Sequence, residues 1–164
     1  MEETNQSKFV KACRNGDFEL VKSLTEMEDV DIHFDDEAGF RYACEYGYNQ
    51  IVEFIYLKGG VDVNAKHDYA FRMVSSNMKK PDTPVSRNHF LLMCWLYSLG
   101  GIDVNRCIDH ADLCDLSEVK SFLTIAGEGD QREPLEIEVD TMIEMGMCKP
   151  RTWFISNRQT VNIC

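Results

Sequence analysis

The chain of 164 residues lacks the features of several common protein classes. No apolar run approaches the roughly 18 residues that a membrane-spanning helix needs. The start, MEETNQSKF, has no basic segment followed by an apolar run, so no secretory signal is predicted. Only 17 basic residues stand against 28 acidic ones, and a net charge of −11 disfavours nucleic acid and anionic membrane as partners. We therefore expect a cytoplasmic protein.

Sequence motifs for catalysis are also missing. There is no glycine-rich phosphate loop, no G-x-S-x-G elbow and no H-E-x-x-H pair. The four histidines share no motif, and carboxylate pairs such as Asp35 and Asp36 fall on a predicted loop with no sign of the burial that would shift a pKa. The sequence therefore predicts no enzymatic activity and no cofactor.

The seven cysteines fit no paired framework, because their number is odd and none forms C-x-x-C. Cys13 and Cys44 recur beside alanines and are expected to be buried thiols that act as small apolar groups. Cys107, His110 and Cys114 are spaced to share one helix face, but a structural zinc site needs a fourth ligand. No metal site is predicted.

Three stretches of the chain are imperfect copies of one another at a spacing of 31 residues. The repeated positions are Phe9, Phe40 and Phe71; Ala12, Ala43 and Val74; Cys13 and Cys44; and Gly16 and Gly47. A fixed period of this length indicates a solenoid in which each unit buries its apolar face on the next. Each unit is predicted to contain a helix, a tight glycine turn, a second helix and an extended exit segment, which covers 30–33 in the first copy and 61–64 in the second.

The third copy carries an insertion, expected at 79–89 and predicted to be a loop because it contains Pro81 and Pro84. A partial fourth unit follows, with one short helix over 108–114 and a second over 118–126 that Ser117 caps. It is expected to cover the last apolar face of the stack.

The predicted organisation is a flexible N-terminus at 1–6, a repeat domain of about three repeats plus a partial capping repeat at 7–126, and a C-terminal extension at 127–164. The last segment, 145–164, has basic residues and no acidic ones. Two interpretations stand for it. Either the segment packs over the end of the stack through Trp153, Phe154 and Ile155, or it is a short linear motif for a second partner.

Three motifs of the second copy resemble ankyrin repeats: A-C-x-x-G at 43–47, I-V-x-x-I at 51–55 and G-x-D-V-N at 60–64. The style is similar to that of ankyrin proteins abundant in giant DNA viruses of amoebae. The T-P-L-H signature of the family is absent, and the stretch before Phe71 is about three residues shorter than the family's finger. The resemblance implies an all-α ankyrin-repeat solenoid with short extended fingers and a C-terminal capping extension.

The resemblance further implies a non-catalytic module that binds a partner protein through its concave face, in the host cytoplasm if the chain is viral, and that is a monomer when free. Aromatic residues are the best anchors in such a face, because they contribute interface energy at low entropy cost. The positions that match ankyrin contact positions are Arg14, Asn15, Phe34, Asp35, Asp36, Glu37, Glu45, Tyr46, Lys66, His67, Tyr69, Ser76, Asn77, Arg106 and Ile108.

An alternative function is a substrate-recruiting adaptor of a ubiquitin ligase. The run Pro134-Leu135-Glu136-Ile137, followed by Ile143, resembles a degenerate F-box start with its first two residues reversed. A metal-dependent role through Cys107, His110 and Cys114 is a third and weaker hypothesis.

Overall fold

A computed structural model describes residues 3–78 and 84–127, which all belong to one structural unit, Met1–Asp130. Within these residues the chain is helical and contains no strand, as the prediction of an all-α fold requires. The helices are α1 (Asn5–Asn15), α2 (Phe18–Leu24), α3 (Phe34–Glu45), α4 (Asn49–Lys58), α5 (Ala65–Ser76), α6 (Pro84–Ser98), α7 (Val104–Leu113) and α8 (Ser117–Gly127).

The helices form two layers. In the first layer α1, α3, α5 and α7 pack side by side, and each is followed by a helix of the second layer, α2, α4, α6 or α8. Edge-to-face aromatic pairs connect the second layer. Their ring centroids are 5.5 Å apart for Phe18 and Phe54, 5.0 Å for Tyr56 and Trp95, and 5.2 Å for Tyr97 and Phe122.

The core contains the side chains that repeat every 31 residues. Phe9, Phe40 and Phe71 are at most 2% exposed, and the small residues one turn later are buried with them. Ile51, Val52 and Ile55 form the buried face of α4. Burial of this kind stabilises a large aliphatic or aromatic side chain by about 1.5–3 kcal/mol.

The tight turns between paired helices are made by glycine, as expected. Gly16 and Gly47 have φ of 78° and 74°, a conformation that other residues adopt at a cost. After the first turn, Asp17 caps α2 by accepting a hydrogen bond from the backbone N–H of Leu20.

The exit segments are turns, so the predicted short extended fingers are wrong. The backbone N–H of Phe34 bonds the carbonyl of Asp31, and that of Ala65 bonds the carbonyl of Asp62. Each turn leads into three consecutive left-handed residues at the start of α3 or α5. Their φ values are 50°, 49° and 65° for Asp35, Asp36 and Glu37, and 52°, 62° and 60° for Lys66, His67 and Asp68.

Two helices of the first layer begin earlier than predicted, because a polar residue caps each one. Thr4 accepts a hydrogen bond from the N–H of Ser7, so Asn5 and Gln6 are helical and do not belong to a flexible N-terminus. Asp103 caps α7 in the same way, and the helix starts at Val104, four residues before the expected start.

The insertion is only partly outside a helix, so the predicted loop at 79–89 is too long. Pro84 is the first residue of α6, a position where proline needs no N–H partner. His89, inside the expected loop, is helical and only 2% exposed. Residues 79–83 lie outside the described residues.

The fourth unit consists of α7 and α8, which pack on each other. The predicted F-box-like start at 134–137 and the aromatic segment at 153–155 lie outside the described residues. Among the helices that are described, none is both long and apolar enough to cross a bilayer.

Candidate functional site

Arginine and tyrosine side chains alternate across the first layer. We call this set the tyrosine–arginine row; in spatial order it consists of Tyr46, Arg14, Tyr42, Arg41, Tyr69 and Arg72. Each guanidinium carbon lies between 5.0 and 5.9 Å from the centroid of a neighbouring ring. This is the range of cation–π attraction, so the row fixes six side chains on one face.

The row exists because α3 contributes to both of its halves. Tyr42 and Tyr46 are four residues apart and lie on the same side of α3, facing Arg14 at the end of α1. Arg41 reaches the other way and lies over Tyr69 of α5 at 5.0 Å. Three helices of the first layer are thereby joined at their surface.

Arg14 lies between Tyr46 and Tyr42 near the exposed end of this row. Its Nε donates a hydrogen bond of 3.3 Å to the hydroxyl of Tyr46, and it lies 5.7 Å from the Tyr42 ring. The bond to Tyr46 raises the pKa of the Arg14 guanidinium, and the charge of Glu45 contributes in the same direction. Among the described residues, no group pairs with its two terminal nitrogens.

Next to Arg14 lies a shallow depression of about 450 Å³ between α1 and the start of α3. Its apolar lining comes from Val10, Phe34 and Tyr42. Its polar lining comes from one acidic residue, two basic residues and three uncharged residues: Glu3, Lys11, Arg14, Thr4, Gln6 and Ser7. Phe34 is 49% exposed, so an apolar surface in the depression is open to solvent. We refer to this feature as the Arg14 depression.

The left-handed turns at the start of α3 and α5 are held by arginine. Arg41 donates to the carbonyls of Asp36 (2.7 Å) and Asp35 (2.8 Å). Arg72 donates in the same way to the carbonyls of His67 (2.9 Å) and Lys66 (3.3 Å). The guanidinium thereby gives each of these carbonyls a charged hydrogen-bond donor.

Acidic residues of these turns are used inside the fold. Asp35 accepts a 2.9 Å hydrogen bond from Lys66, which holds the pKa of its carboxyl below the usual value. Glu37, predicted as a contact residue, is buried, which corrects that prediction; its carboxylate pairs with His33 (2.9 Å) and accepts from the N–H of Asp62 (3.2 Å).

The C-terminal end of α3 is a second polar centre. The carbonyl of Glu45 accepts from Asn77 Nδ2 (2.7 Å) and lies 2.9 Å from His89 Nε2. The Glu45 carboxylate accepts from the Tyr69 hydroxyl at 3.1 Å. Partial burial, followed by this hydrogen bond, raises the pKa of Tyr69. These contacts tie α3 to α5 and α6 and leave Glu45 and Tyr69 half-buried.

The α5–α7 boundary uses three further predicted contact positions. Arg106 pairs with the buried carboxylate of Asp68 at 2.9 Å. Ser76 lies 2.8 Å from Nε2 of His110, which is 3.7 Å from the sulfur of Cys114. Ile108 is half-buried. No group of three or more metal-ligating side chains occurs among the described residues.

The predicted contact residues therefore fall into two sets. The exposed set consists of Arg14, Asn15, Phe34, Asp35, Asp36, Tyr46, Lys66, His67, Asn77 and Arg106. The buried or half-buried set consists of Glu37, Glu45, Tyr69, Ser76 and Ile108. Sequence reasoning missed Arg41, Tyr42 and Arg72. The recurrence of arginine directly after Phe40 and Phe71 was the signal available for two of them.

The repeated cysteines are confirmed as buried free thiols. Burial raises the pKa of Cys13 to about 12 and that of Cys44 further still. Burial also raises the pKa of Cys107 to about 12. Such thiols are poor nucleophiles, because the thiolate is the reactive form.

In comparisons with known proteins, no family model matches this chain, and no curated protein shows significant similarity to it.

Proposed function

We propose that this chain is a non-catalytic, ankyrin-type module that binds a partner protein through the tyrosine–arginine row. The observation that carries the proposal is the row itself, with Arg14, Tyr46 and the neighbouring Phe34 exposed at one end. Tyrosine and arginine are enriched among the residues that dominate protein interfaces. Side chains already fixed by their neighbours lose little entropy when a partner binds.

The ankyrin type is supported by two features of the described residues. Apolar and small side chains that recur every 31 residues are buried between successive units. Each of the four helix pairs places its first helix in one layer and its second helix in the other. In ankyrin repeats the first helices contribute to the binding face, and here the row lies on α1, α3 and α5.

The partner is a protein and not a nucleic acid, since a chain with a net charge of −11 repels a phosphate backbone. We place the encounter in the cytoplasm and propose that the free chain is a monomer.

Affinity capture from amoebal lysate with matched variants tests the proposal. Tyr46→Ala removes a ring that contacts Arg14 on the row. Lys22→Ala is the control. The Lys22 ammonium lies 4.8 Å from the Phe18 ring on α2, in the other layer, so this variant also removes a cation–π contact, but away from the row. Both variants are checked for native melting by circular dichroism before use.

A protein captured by the unaltered chain and by Lys22→Ala, but lost with Tyr46→Ala, supports the row as the binding face. Equal capture by all three forms contradicts it. Ubiquitin-ligase subunits that remain bound to Tyr46→Ala would instead favour the adaptor function, with a ligase contact elsewhere on the chain.

A further inference from the structure

We propose that the Arg14 depression binds an acidic peptide segment of the partner. An Asp or Glu carboxylate pairs with the terminal nitrogens of Arg14, and an adjacent apolar side chain enters the depression beside Val10 and Phe34. This inference rests on the proposed function and names the chemistry of the partner.

The first support is the state of Arg14. Two rings and the bond from Nε to Tyr46 fix the guanidinium plane, while no described residue pairs with its terminal nitrogens. A planar guanidinium with free terminal donors matches a carboxylate, which can accept two parallel hydrogen bonds. Because the side chain is held in place, binding orders little that is not already ordered.

The second support is local charge. Helix α1 contains Lys8, Lys11 and Arg14 and no acidic residue, although the whole chain carries a net charge of −11. All three side chains are exposed. Lys11 has a single contact with Glu3 at 3.8 Å, which is long for an ion pair and leaves the side chain 64% exposed. The helix is thus a positive surface on an acidic protein and attracts an acidic segment.

The third support is the apolar part of the depression. Val10, Phe34 and Tyr42 line it, and Phe34 remains half-exposed. A small acidic ligand alone would leave this surface uncovered. A peptide that carries an aromatic or aliphatic side chain beside its carboxylate covers both parts at once.

A random linear peptide library displayed on phage, selected on the immobilised full chain, tests the inference. We expect enriched sequences to place Asp or Glu next to an aromatic or aliphatic residue. The enriched peptide is then synthesised, and its Kd is measured by fluorescence polarisation against three variants.

Arg14→Ala should weaken binding at least about tenfold, as for loss of one charge-assisted pair. Phe34→Ala should weaken it while preserving the preference for an acidic residue, and Lys22→Ala should leave the Kd within about twofold as the matched control. Added salt should raise the Kd for the unaltered chain.

Several results would overturn the inference. These are enrichment of basic sequences, failure to enrich any sequence, and acidic peptides whose affinity does not change in Arg14→Ala. Tighter binding of a phosphoserine analogue would assign the site to phosphate. A dimer of the unaltered chain in sedimentation, absent in Arg14→Ala, would assign it to a second copy.

The two proposals fail separately. Capture that depends on Tyr46, with no acidic peptide selected, retains the row as a binding face and removes the acidic ligand. Acidic peptides that depend on Arg14, with capture insensitive to Tyr46→Ala, retain the depression and remove the wider row.

Discussion

At the scale of single residues, two arginines decide how α3 and α5 begin. Three consecutive left-handed residues without glycine are unfavourable, by about 1–2 kcal/mol per residue. Arg41 offsets part of this by donating to two carbonyls of the turn, and Arg72 repeats the arrangement in the next unit. Each arginine therefore stabilises its turn.

Arg41→Ala should lower the free energy of unfolding by about 2–4 kcal/mol, because it leaves two carbonyls without their charged donor and removes a buried side chain. Urea denaturation measures the change. Arg72→Ala is the comparison, since Arg72 is half-exposed and water replaces its bonds in part; its loss should be smaller. An equal loss for both, or none for Arg41, would contradict the assigned role.

Asp36 allows a test of the turn's handedness without disturbing the core. It is exposed and has φ of 49°, and the contact of its side chain is one of 3.6 Å between the carboxylate and Lys66 Nζ. Asp36→Val should destabilise the protein by more than about 1 kcal/mol, because a β-branched residue is disfavoured at positive φ. Asp36→Gly should be neutral or stabilising, since glycine adopts this conformation freely.

Thermal melting of the two Asp36 variants separates handedness from charge, because both remove the carboxylate. If valine and glycine give the same melting temperature, the left-handed assignment for this turn is refuted.

At the scale of elements, the hydrophobic periodicity of the sequence predicts the buried helix faces and the turns between paired helices. The buried faces of α1 and α4 and the glycine turn between α3 and α4 follow from residue spacing alone. The left-handed turns do not, because their stability depends on bonds from Arg41 to carbonyls five and six residues earlier. A local propensity contains no such information.

The start of α6 shows a second limit of local reasoning. Pro84 was interpreted as a loop residue, but proline also fits the first turn of a helix, and only the packing of the following residues distinguishes the two. His89 provides that packing. It is buried beside Gly47 and lies 2.9 Å from the carbonyl of Glu45.

The contact between Gly47 and His89 can be tested by a double-mutant cycle. A Cβ at Gly47 would lie 2.8 Å from His89 Cε1, and φ there is 74°. Gly47→Ala should therefore destabilise the protein by about 2 kcal/mol or more, from backbone strain and from the clash. In a His89→Ala background only the strain remains, so the same change should destabilise by about 1 kcal/mol.

Guanidinium denaturation of the four proteins gives the coupling energy. A cost for Gly47→Ala that is identical in both backgrounds would show that His89 does not pack on this turn.

At the scale of the whole molecule, the candidate site was only partly accessible from sequence. Arg14, Tyr46 and Tyr69 were identified by position in the repeat, but their link through Tyr42 and Arg41 was not. The row crosses three helices, and apart from Arg41 and Arg72 its members occupy positions that are not equivalent in the repeat. It arises from how successive units pack, which a comparison of repeat positions does not contain.

Ion pairs also join successive units, such as Lys58 with Glu26 and Lys66 with Asp35. Exposed pairs of this kind contribute little, typically up to about 1 kcal/mol. The stability of the stack must therefore come mainly from the buried phenylalanines, aliphatic side chains and thiols that recur between the units.

The buried thiols make the stability of the whole stack sensitive to alkaline pH. Burial raises the pKa of Cys13 and Cys44 in the folded chain, whereas a thiol in the unfolded chain titrates near pH 8.5. Above about pH 8.5 the unfolded state therefore binds fewer protons than the folded state. The free energy of unfolding falls as pH rises through this range. By about pH 9.5 each of these thiols should remove about 1.4 kcal/mol relative to neutral pH, together about 3 kcal/mol. Burial raises the pKa of Cys107 to about 12, so this thiol lowers stability over the same pH range as Cys13. Burial also raises the pKa of Tyr97, but an unfolded tyrosine titrates only near pH 10, so Tyr97 adds to the fall at higher pH.

Urea denaturation across this pH range measures the effect, and Cys44→Ala supplies the control. Alanine at this position lowers stability at every pH, since it removes a buried side chain. It also removes one titrating thiol, so the difference in unfolding free energy between neutral pH and about pH 9.5 should shrink by about 1.4 kcal/mol. The slope with pH, and not the absolute stability, therefore reports on the thiol. An unchanged slope in Cys44→Ala would mean that this thiol has the same proton affinity in the folded and unfolded chain, which is incompatible with a position at the interface between two stacked units.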